Sequence, residues 1–288
     1  MTDYKNKIAY QGEPGAYSHL ACRSAYPSLE PVACESFSAA FEAVENRQAG
    51  LAMIPIENSL GGRVADIHHL IPESTLYIIN EHYQPVKHCL LGVPGASLDQ
   101  LTHIRSHPQG LAQCLSLIDE LGVKPVAAAD TAGSALEIKE LNDPSQGAIA
   151  SMLAAEIYGL DILRERVEDR LGNTTRFIVL SATRAEPDPQ DGPCMTSFVY
   201  QVRSVPAALY KSLGGFATCG VNITKLESYI TDDRFQVAQF YAEIEGHVSD
   251  KLVDVAFQEL QFYSTKLKIL GTYPAHPYRT QDYKQSGS

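Results

Sequence analysis

The chain has 288 residues, 44% of them hydrophobic, which suffices for one large domain or two moderate ones. Its 23 basic and 34 acidic residues leave a formal net charge of -11, which speaks against nucleic acid or an anionic membrane surface as partner. No run approaches a membrane span, the N-terminal MTDYKNKIAYQGEPG lacks a signal-peptide core, and the six scattered cysteines offer no C-x-x-C pair and no zinc spacing, so a cytoplasmic protein with reduced thiols and no metal is expected.

In chain order, KIAYQG predicts a strand and YSHLACRSAY a helix. In SFSAAFEAVENRQAG, Phe37, Ala40, Phe41 and Val44 repeat at helical spacing, with Ser36 as N-cap and Gly50 as stop. LAMIPIE then predicts a buried strand, SLGGRVADIHHLI a loop into a helix, and CLLGV and THIRS two further strands. After them Leu111, Cys114, Leu115 and Ile118 make one helical stripe through HPQGLAQCLSLIDELG, with Pro108 in the first turn. GAIA followed by SMLAAEIYG is another strand and capped helix, and this alternation argues for an α/β class with mainly parallel strands.

Ser181 to Met195 carries three prolines, a glycine and three acids, the composition of a linker, and sets a boundary near 185–193. Beyond it the order becomes βαββαβ: TSFVYQV, VPAALYKSLGGFATCG, NITKLESYI, FQVAQFYAEIEG, SDKLVDVAFQELQFY and TKLKILGTY. That is the ferredoxin-like pattern.

Three segments share one design, in which a strand ends, small or polar residues follow and a helix begins: Tyr10 to Ser18, Pro55 to Arg63 and Ser106 to Gly110. In open α/β sheets, ligands bind beyond the carboxyl ends of strands, where helix N-termini offer free N–H groups. Each segment alone has a structural explanation: glycines 12 and 15 as turn-makers, Asn58 and Ser59 as helix caps, His107-Pro108 as a helix start. With the strand opening NTTRFIVL they supply neutral donors and one fixed cation that can share a crevice.

GEPGAYS, PIENSLGGRV, SHPQGLAQC, AIASMLAAEIYGL and NTTRFIVL, in that order, resemble prephenate dehydratase, and GVNITKLES, FYAEIEGH and LKILGTYP resemble that family's C-terminal ACT regulatory domain. The resemblance implies a monofunctional lyase with a two-lobed, periplasmic-binding-protein-like catalytic domain over 5–183, a ferredoxin-like α+β ACT domain over 194–275 and a flexible tail over 276–288. The implied reaction is the decarboxylative dehydration of prephenate to phenylpyruvate in L-phenylalanine biosynthesis, with no cofactor and no metal. By this resemblance Thr175 assists departure of the ring hydroxyl, Asn58 and Gln109 position the substrate, and Arg176 matches a carboxylate with its planar fork. Ser18, Glu57, Ser59, Ser106, His107, Thr174 and Phe177 complete the expected substrate site, and His107 or Glu57 is a candidate to relay a proton to Thr175.

One expectation goes further. The ring carboxylate must give up its charge as carbon dioxide forms, so an arginine held against it would stabilise the ground state more than the transition state. Arg176 is therefore expected on the pyruvyl carboxylate, and neutral donors around Asn58, Ser59 and Thr174 on the ring carboxylate.

The same resemblance implies that L-phenylalanine binds at Ala207, Ala208 and Leu209, at Gly220, Val221 and Asn222, and at Glu227 and Ser228. Ala207 stands where the family has a glycine and Tyr229 where it has an arginine, which changes the ligand's surroundings. The implied assembly is a homodimer through the ACT domain, with a homotetramer as the larger alternative. Arogenate dehydratase and a non-catalytic amino-acid-sensing binding protein are the competing readings.

Overall fold

A computed structural model describes residues 4–64, 67–203, 205–230 and 238–281, apart from the side chains of His68, Thr280 and Gln281. The chain divides into two compact units, Met1–Val64 with His82–Phe177, and Ala65–Glu81 with Ile178–Ser288. Among the described residues no helix is long and apolar enough to cross a membrane.

The chain begins β1 (Lys7–Gln11), α1 (Tyr17–Ala25), β2 (Glu30–Cys34), α2 (Phe37–Glu45), β3 (Leu51–Asn58), β4 (Gly62–Arg63), α3 (Ile67–Glu73) and β5 (Tyr77–Pro85). It continues through β6 (Cys89–Gly92), β7 (His103–Ser106), α4 (Pro108–Ala112), α5 (Leu115–Leu121), β8 (Lys124–Ala127), α6 (Thr131–Leu141), β9 (Gln146–Ala150), α7 (Met152–Tyr158), β10 (Asp161–Glu165) and β11 (Thr174–Ser181). One sheet has the order β2-β1-β3-β11-β5 with β4 on β3, and a second the order β10-β6-β9-β7-β8. Strands β5 and β11 run on from one unit into the other. The second sheet is mixed: β7 pairs parallel with β8 and β9, whereas β6 pairs antiparallel with both β9 and β10.

Short apolar strands explain the buried layer. Leu90, Ile104 and Ile149 face Leu111, Leu117 and Ile118 on one side of the second sheet, while Leu91, Ala148 and Ala150 face Ala135, Ile138 and Ala154 on the other. Side chains alternating across each strand load both faces, and both are covered by helices. The caps follow the local chemistry: Ser36 accepts from Ala39 N, Asp130 from Gly133 N and Ser151 from Ala154 N.

The Gly12–Gly15 loop is an internal docking element of the first unit. Ser151 Oγ donates to Gly15 O over 2.6 Å and Tyr158 OH to Pro14 O over 2.8 Å. Gly15 has φ +94°, and a Cβ there would collide with the backbone of Ala154, so glycine is required by both conformation and space.

The structure departs from the sequence reading along HPQGLAQCLSLIDELG, which forms two helices, α4 and α5, broken at Gln113 and Cys114. Asp169 is the reason. Its two carboxylate oxygens accept from Leu115 N and Ser116 N, opening a new helix, and its own N–H donates to Gln113 O over 2.7 Å. Of the expected stripe Leu111, Cys114 and Ile118 stay in one cluster, whereas Leu115 is exposed at the start of α5 and Leu117 packs in its place.

The second unit contains β12 (Cys194–Val202), α8 (Ala208–Thr218), β13 (Ile223–Ile230), β14 (Ala238–Glu245), α9 (Lys251–Tyr263), β15 (Ser264–Pro274) and α10 (Tyr278–Gln281). Its antiparallel sheet, β13-β14-β12-β15, realises the ferredoxin-like order. Phe198, Tyr200, Phe216, Phe240, Val253 and Leu260 fill the layer between sheet and helices. Residues 65–81 belong to this unit through close backbone approach: a Cβ on Gly271 would strike Ile78 O, and Lys268 Nζ donates to Pro72 O and Ser74 O. Arg279 donates through Nε and Nη2 to the buried Glu81 carboxylate. Of the tail segment 276–288, residues 276–281 carry this pairing and α10, and 282–288 lie outside the described residues, as do the first residues expected in the strand FQVAQFYAEIEG.

Ala207 precedes α8 with φ 59° and ψ 28°, a left-handed conformation in which Cβ is crowded. A non-glycine residue there costs about 1–2 kcal/mol, partly offset by the backbone freedom a glycine loses on folding. Ala207→Gly is therefore expected to stabilise the second unit by about 0.5–1 kcal/mol, seen as a rise in the calorimetric midpoint; a lower midpoint would contradict the strain.

Candidate active site

Asn58 ends β3, and its side chain is oriented by the turn that follows. Its Oδ1 accepts from Leu60 N at 3.0 Å and Gly61 N at 2.7 Å. The amide nitrogen must then face the other way, and Nδ2 donates to Asn173 Oδ1 at 2.7 Å and Thr175 Oγ1 at 2.9 Å. Because Asn173 Oδ1 is an acceptor here, its Nδ2 is the donor to Gln113 Oε1 at 2.9 Å. The same Gln113 oxygen lies 2.9 Å from His88 Nε2, which must carry a proton to bond it.

Burial pushes the His88 pKa below the ordinary histidine value of 6.5, opposed by the Gln113 bond and the Glu168 carboxylate. The ring is therefore neutral at pH 7, with its proton on Nε2 and a lone pair on Nδ1. Tyr17 OH sits 2.9 Å from that Nδ1 and 2.8 Å from Lys87 O, and burial raises its own pKa well above 10, so it stays a donor. One directed chain thus runs from Tyr17 through His88, Gln113, Asn173 and Asn58 to Thr175. Buried polar chains of this kind fix a single geometry when every member is satisfied.

A cavity of about 250 Å³ opens on this chain. Its lining includes Tyr17, Asn58, His88, His107, Gln109, Gln113, Asp130, Thr131, Asn173 and Thr175, with Val64 and Val86. Asn58 occupies the lone-pair side of Thr175 Oγ1, so the threonine's own proton is available to an occupant. A Cβ on Gly61 would overlap Gln109 Nε2, so this glycine makes room for the glutamine side chain. Gln109 and Gln113 line the same cavity as Thr175 and bring neutral amide groups to it. A second cavity, about 530 Å³, shares Gln109 and Gln113 and extends past Leu60, Ala112, Leu115, Ser116, Asp169 and Arg170.

Of the residues singled out by sequence, Asn58, Gln109, His107 and Thr175 line the first cavity. His107 does so while its Nδ1 caps α4 by accepting from Gln109 N. Arg176 is 6% exposed and follows Thr175 on β11, so alternation turns it to the opposite face. Phe177 is core. Ser106 is fully buried and donates to Ile149 O. Ser59 and Thr174 clasp one another: Thr174 N donates to Ser59 Oγ, Ser59 N donates to Thr174 O, and both hydroxyls lie against Gly172 O. Glu57 lies opposite Arg63 in the β3–β4 pairing, and Ser18 is buried in α1 while its neighbour Tyr17 reaches the cavity.

Sequence reasoning did not single out Gln113, His88 or Tyr17. The motif SHPQGLAQC contains Gln113, but only the helix break aims it at the cavity. Among the described residues no three His, Cys, Asp or Glu side chains converge to hold a metal ion.

In the second unit, Ala208 is buried, and Leu209 and Val221 pack on the helix–sheet core. Gly220 has φ +67° after α8, Asn222 O accepts from Glu245 N, Glu227 pairs with Lys225 at 3.4 Å and Ser228 is exposed on β13. Tyr229 OH accepts from Gln239 Nε2 at 2.7 Å, and its ring meets His69 edge-on.

The prephenate dehydratase family profile matches residues 8–185. A bifunctional N-acyl-homoserine lactone acylase/prephenate dehydratase of Komagataeibacter europaeus is 48% identical over 94% of this chain and 97% of its own length. An arogenate dehydratase/prephenate dehydratase of Arabidopsis thaliana is 38% identical over 94% of this chain and 73% of its own length. The crystal structure of a prephenate dehydratase from Arthrobacter aurescens in complex with L-Phe aligns with TM-score 0.85 at 29% identity, covering 97% of this chain and 98% of that one.

The neutral His88 ring has a consequence for stability. Between its depressed folded pKa and 6.5 the unfolded chain binds the extra proton, so stability falls as pH drops through that window and is complete above it. His19 and His276 are lowered by burial too and act with the same sign. Urea titrations at pH about 7.5 and about 5.5 are expected to show a smaller acid loss in His88→Gln than in the unaltered chain, by a share of up to one proton. An unchanged pH slope would place the proton elsewhere.

Proposed function

The chain belongs to the prephenate dehydratase family, and from that premise we propose that it converts prephenate to phenylpyruvate in L-phenylalanine biosynthesis. The balanced step is prephenate dianion plus one proton to phenylpyruvate monoanion, carbon dioxide and water. The carbon–carboxylate bond breaks, its electron pair enters the ring, and the ring carbon–oxygen bond breaks as the hydroxyl leaves. Aromatisation drives the step, so the protein has to orient the dianion and stabilise the departing oxygen.

The observation that carries this reading is the Asn58–Thr175 hydrogen bond. With Asn58 donating to Oγ1, Thr175 donates its proton into the cavity, where it can meet the leaving hydroxyl. A threonine hydroxyl is a weak acid, so its part is a directed hydrogen bond to a developing oxyanion, and the consumed proton arrives from water. Gln109 and Gln113 hold oxygens of the substrate, and His107 and Thr131 close the wall. Arg176, on the far face of β11, supports the strand rather than contacting substrate.

Arogenate is the alternative substrate, carried by the Arabidopsis relative's name. Asp130 on the cavity wall is the acid that could meet its ammonium group, although that carboxylate already accepts from Gly133 N. Acyl-homoserine lactone hydrolysis is a second reading, taken from the Komagataeibacter relative's name and favoured by the leucine-walled second cavity. The neighbour bonded to Thr175 is an amide donor and not a base, and a nucleophile needs a base. Elimination is therefore the better supported chemistry.

Residues 194–275 are read as an ACT domain that binds L-phenylalanine at 207–209, 220–222 and 227–228, which the βαββαβ order and the Arthrobacter complex support. Strand β13 is a sheet edge with Leu226 and Ile230 exposed, and α9 exposes Leu252, Val255 and Phe262, so pairing with a second copy through this unit is part of the reading. Six free cysteines suit a reducing cytoplasm.

Turnover of prephenate, arogenate and an acyl-homoserine lactone by one preparation tests the assignment, with prephenate expected to be favoured. Thr175→Val, which removes the hydroxyl and keeps the shape, is expected to lower kcat by about 10²–10⁴-fold with KM little changed. A loss of only a few-fold would remove Thr175 from the centre. L-phenylalanine is expected to give calorimetric heat and a thermal shift with the full chain; neither signal would leave the second unit a purely structural role.

A further inference from the structure

The proposed substrate brings two carboxylates to a cavity whose described lining holds no lysine and no arginine. Its histidines do not make up the charge: His88 is kept neutral by burial, and His107 Nδ1 is engaged as an acceptor at the start of α4. Asp130 adds a negative charge to the same wall. A dianion needs a cation within reach, and two near in sequence are poorly placed. Arg176 faces away on β11 and Arg63 lies opposite Glu57 on β4.

We propose that Arg170 binds the side-chain carboxylate of the substrate from the adjoining cavity, while the ring carboxylate stays among neutral donors. This rests on the prephenate reading of the same site. Arg170 is the cation in the described lining of the second cavity, which shares Gln109 and Gln113 with the first. It is exposed and makes no ion pair among the described residues. Its neighbour Asp169 is turned to the start of α5, where its two oxygens accept from Leu115 N and Ser116 N. The loop is also held in place: Asp169 N donates to Gln113 O, and Val86 N donates to Asn173 O. The backbone on either side of Arg170 is thereby tied to the cavity residues Gln113 and Asn173.

The chemistry favours this division. The side-chain carboxylate keeps its charge from substrate to product, so a planar fork that binds it tightens substrate and transition state alike. Such a contact is read in KM and not in kcat. A guanidinium against the ring carboxylate would do the reverse, opposing the loss of charge as carbon dioxide forms.

Steady-state kinetics of Arg170→Gln and Arg170→Lys, with prephenate and with its side-chain methyl ester, test the assignment. In Arg170→Gln, KM for prephenate is expected to rise about tenfold, with kcat within about twofold and a weaker dependence of KM on salt. Arg170→Lys recovers part of that loss. On the ester, the unaltered chain is expected to bind about as weakly as Arg170→Gln binds prephenate, and the substitution to add nothing further. An unchanged KM, an equal loss on both substrates, or a loss confined to kcat overturns the role of Arg170. An unaltered chain that does not turn over prephenate overturns the parent reading, and this one with it. Arg170 has no partner whose loss would unfold the protein, so thermal midpoints of the variants are expected to match that of the unaltered chain.

Discussion

The orientation of one amide governs the site. Asn58 Oδ1 is committed to two backbone N–H groups of the turn that leaves β3, and this leaves only one direction for Nδ2. From there each donor dictates the next: Asn173 accepts and so donates to Gln113, and Gln113 Oε1 accepts and so demands a proton on His88 Nε2. An amide flip at Asn58 would set its nitrogen against two N–H groups and its oxygen against Asn173 Oδ1. Several hydrogen bonds would be lost at once, each worth about 0.5–1.5 kcal/mol and more when a buried group is left unpaired. The orientation of the Thr175 hydroxyl is thus set by the backbone turn that leaves the neighbouring strand β3.

A carboxylate with no chemical part completes that arrangement. Asp169 starts α5 where the apolar repeat would have continued α4, and the unwound residues between them carry Gln113. Had the helix been continuous, the Gln113 carbonyl would have accepted from the following helical turn and not from Asp169 N, and its side chain would have stayed on the helical surface. The break costs little packing, since Leu111, Leu117 and Ile118 remain in one cluster. Sequence-distant pieces, 113 and 169, are therefore needed together before the cavity has its second glutamine.

Periodicity made most elements legible. The strands around Ala9, Met53 and Ile149, the capped helices at Ser36 and Ser151 and the βαββαβ order after residue 194 follow from spacing and cap residues alone. Strands β2, β8 and β10 carried weak signals because half or more of their residues are exposed or only partly buried. Within the site, motif position led to Asn58, Gln109, His107 and Thr175, which all reach the cavity. Adjacency misled at Ser59, Ser106, Thr174 and Arg176: alternation along a strand or local clasping sends the neighbour of a cavity residue elsewhere. Gln113, His88 and Tyr17 form their contacts across 25 to 71 residues of chain, and no local pattern announces such pairings.

The distribution of charge follows from the same logic. The amides, hydroxyls and neutral His88 imidazole of the cavity solvate an anion without pinning its charge, whereas an ammonium or guanidinium would deepen the ground state that the proposed decarboxylation must leave. Amide donors have a further advantage here, because their orientation is already fixed by the hydrogen-bond chain and needs no reorganisation as charge moves from carboxylate to departing oxygen. On the proposed reading Thr175 meets the one atom at which negative charge grows, and the amide of Asn58 behind it keeps its proton pointed there. For the proposed elimination, driven by aromatisation, a wall of fixed amide donors with one directed hydroxyl serves the departing oxygen, and a fixed cation serves best at the cavity mouth, on the charge that does not change.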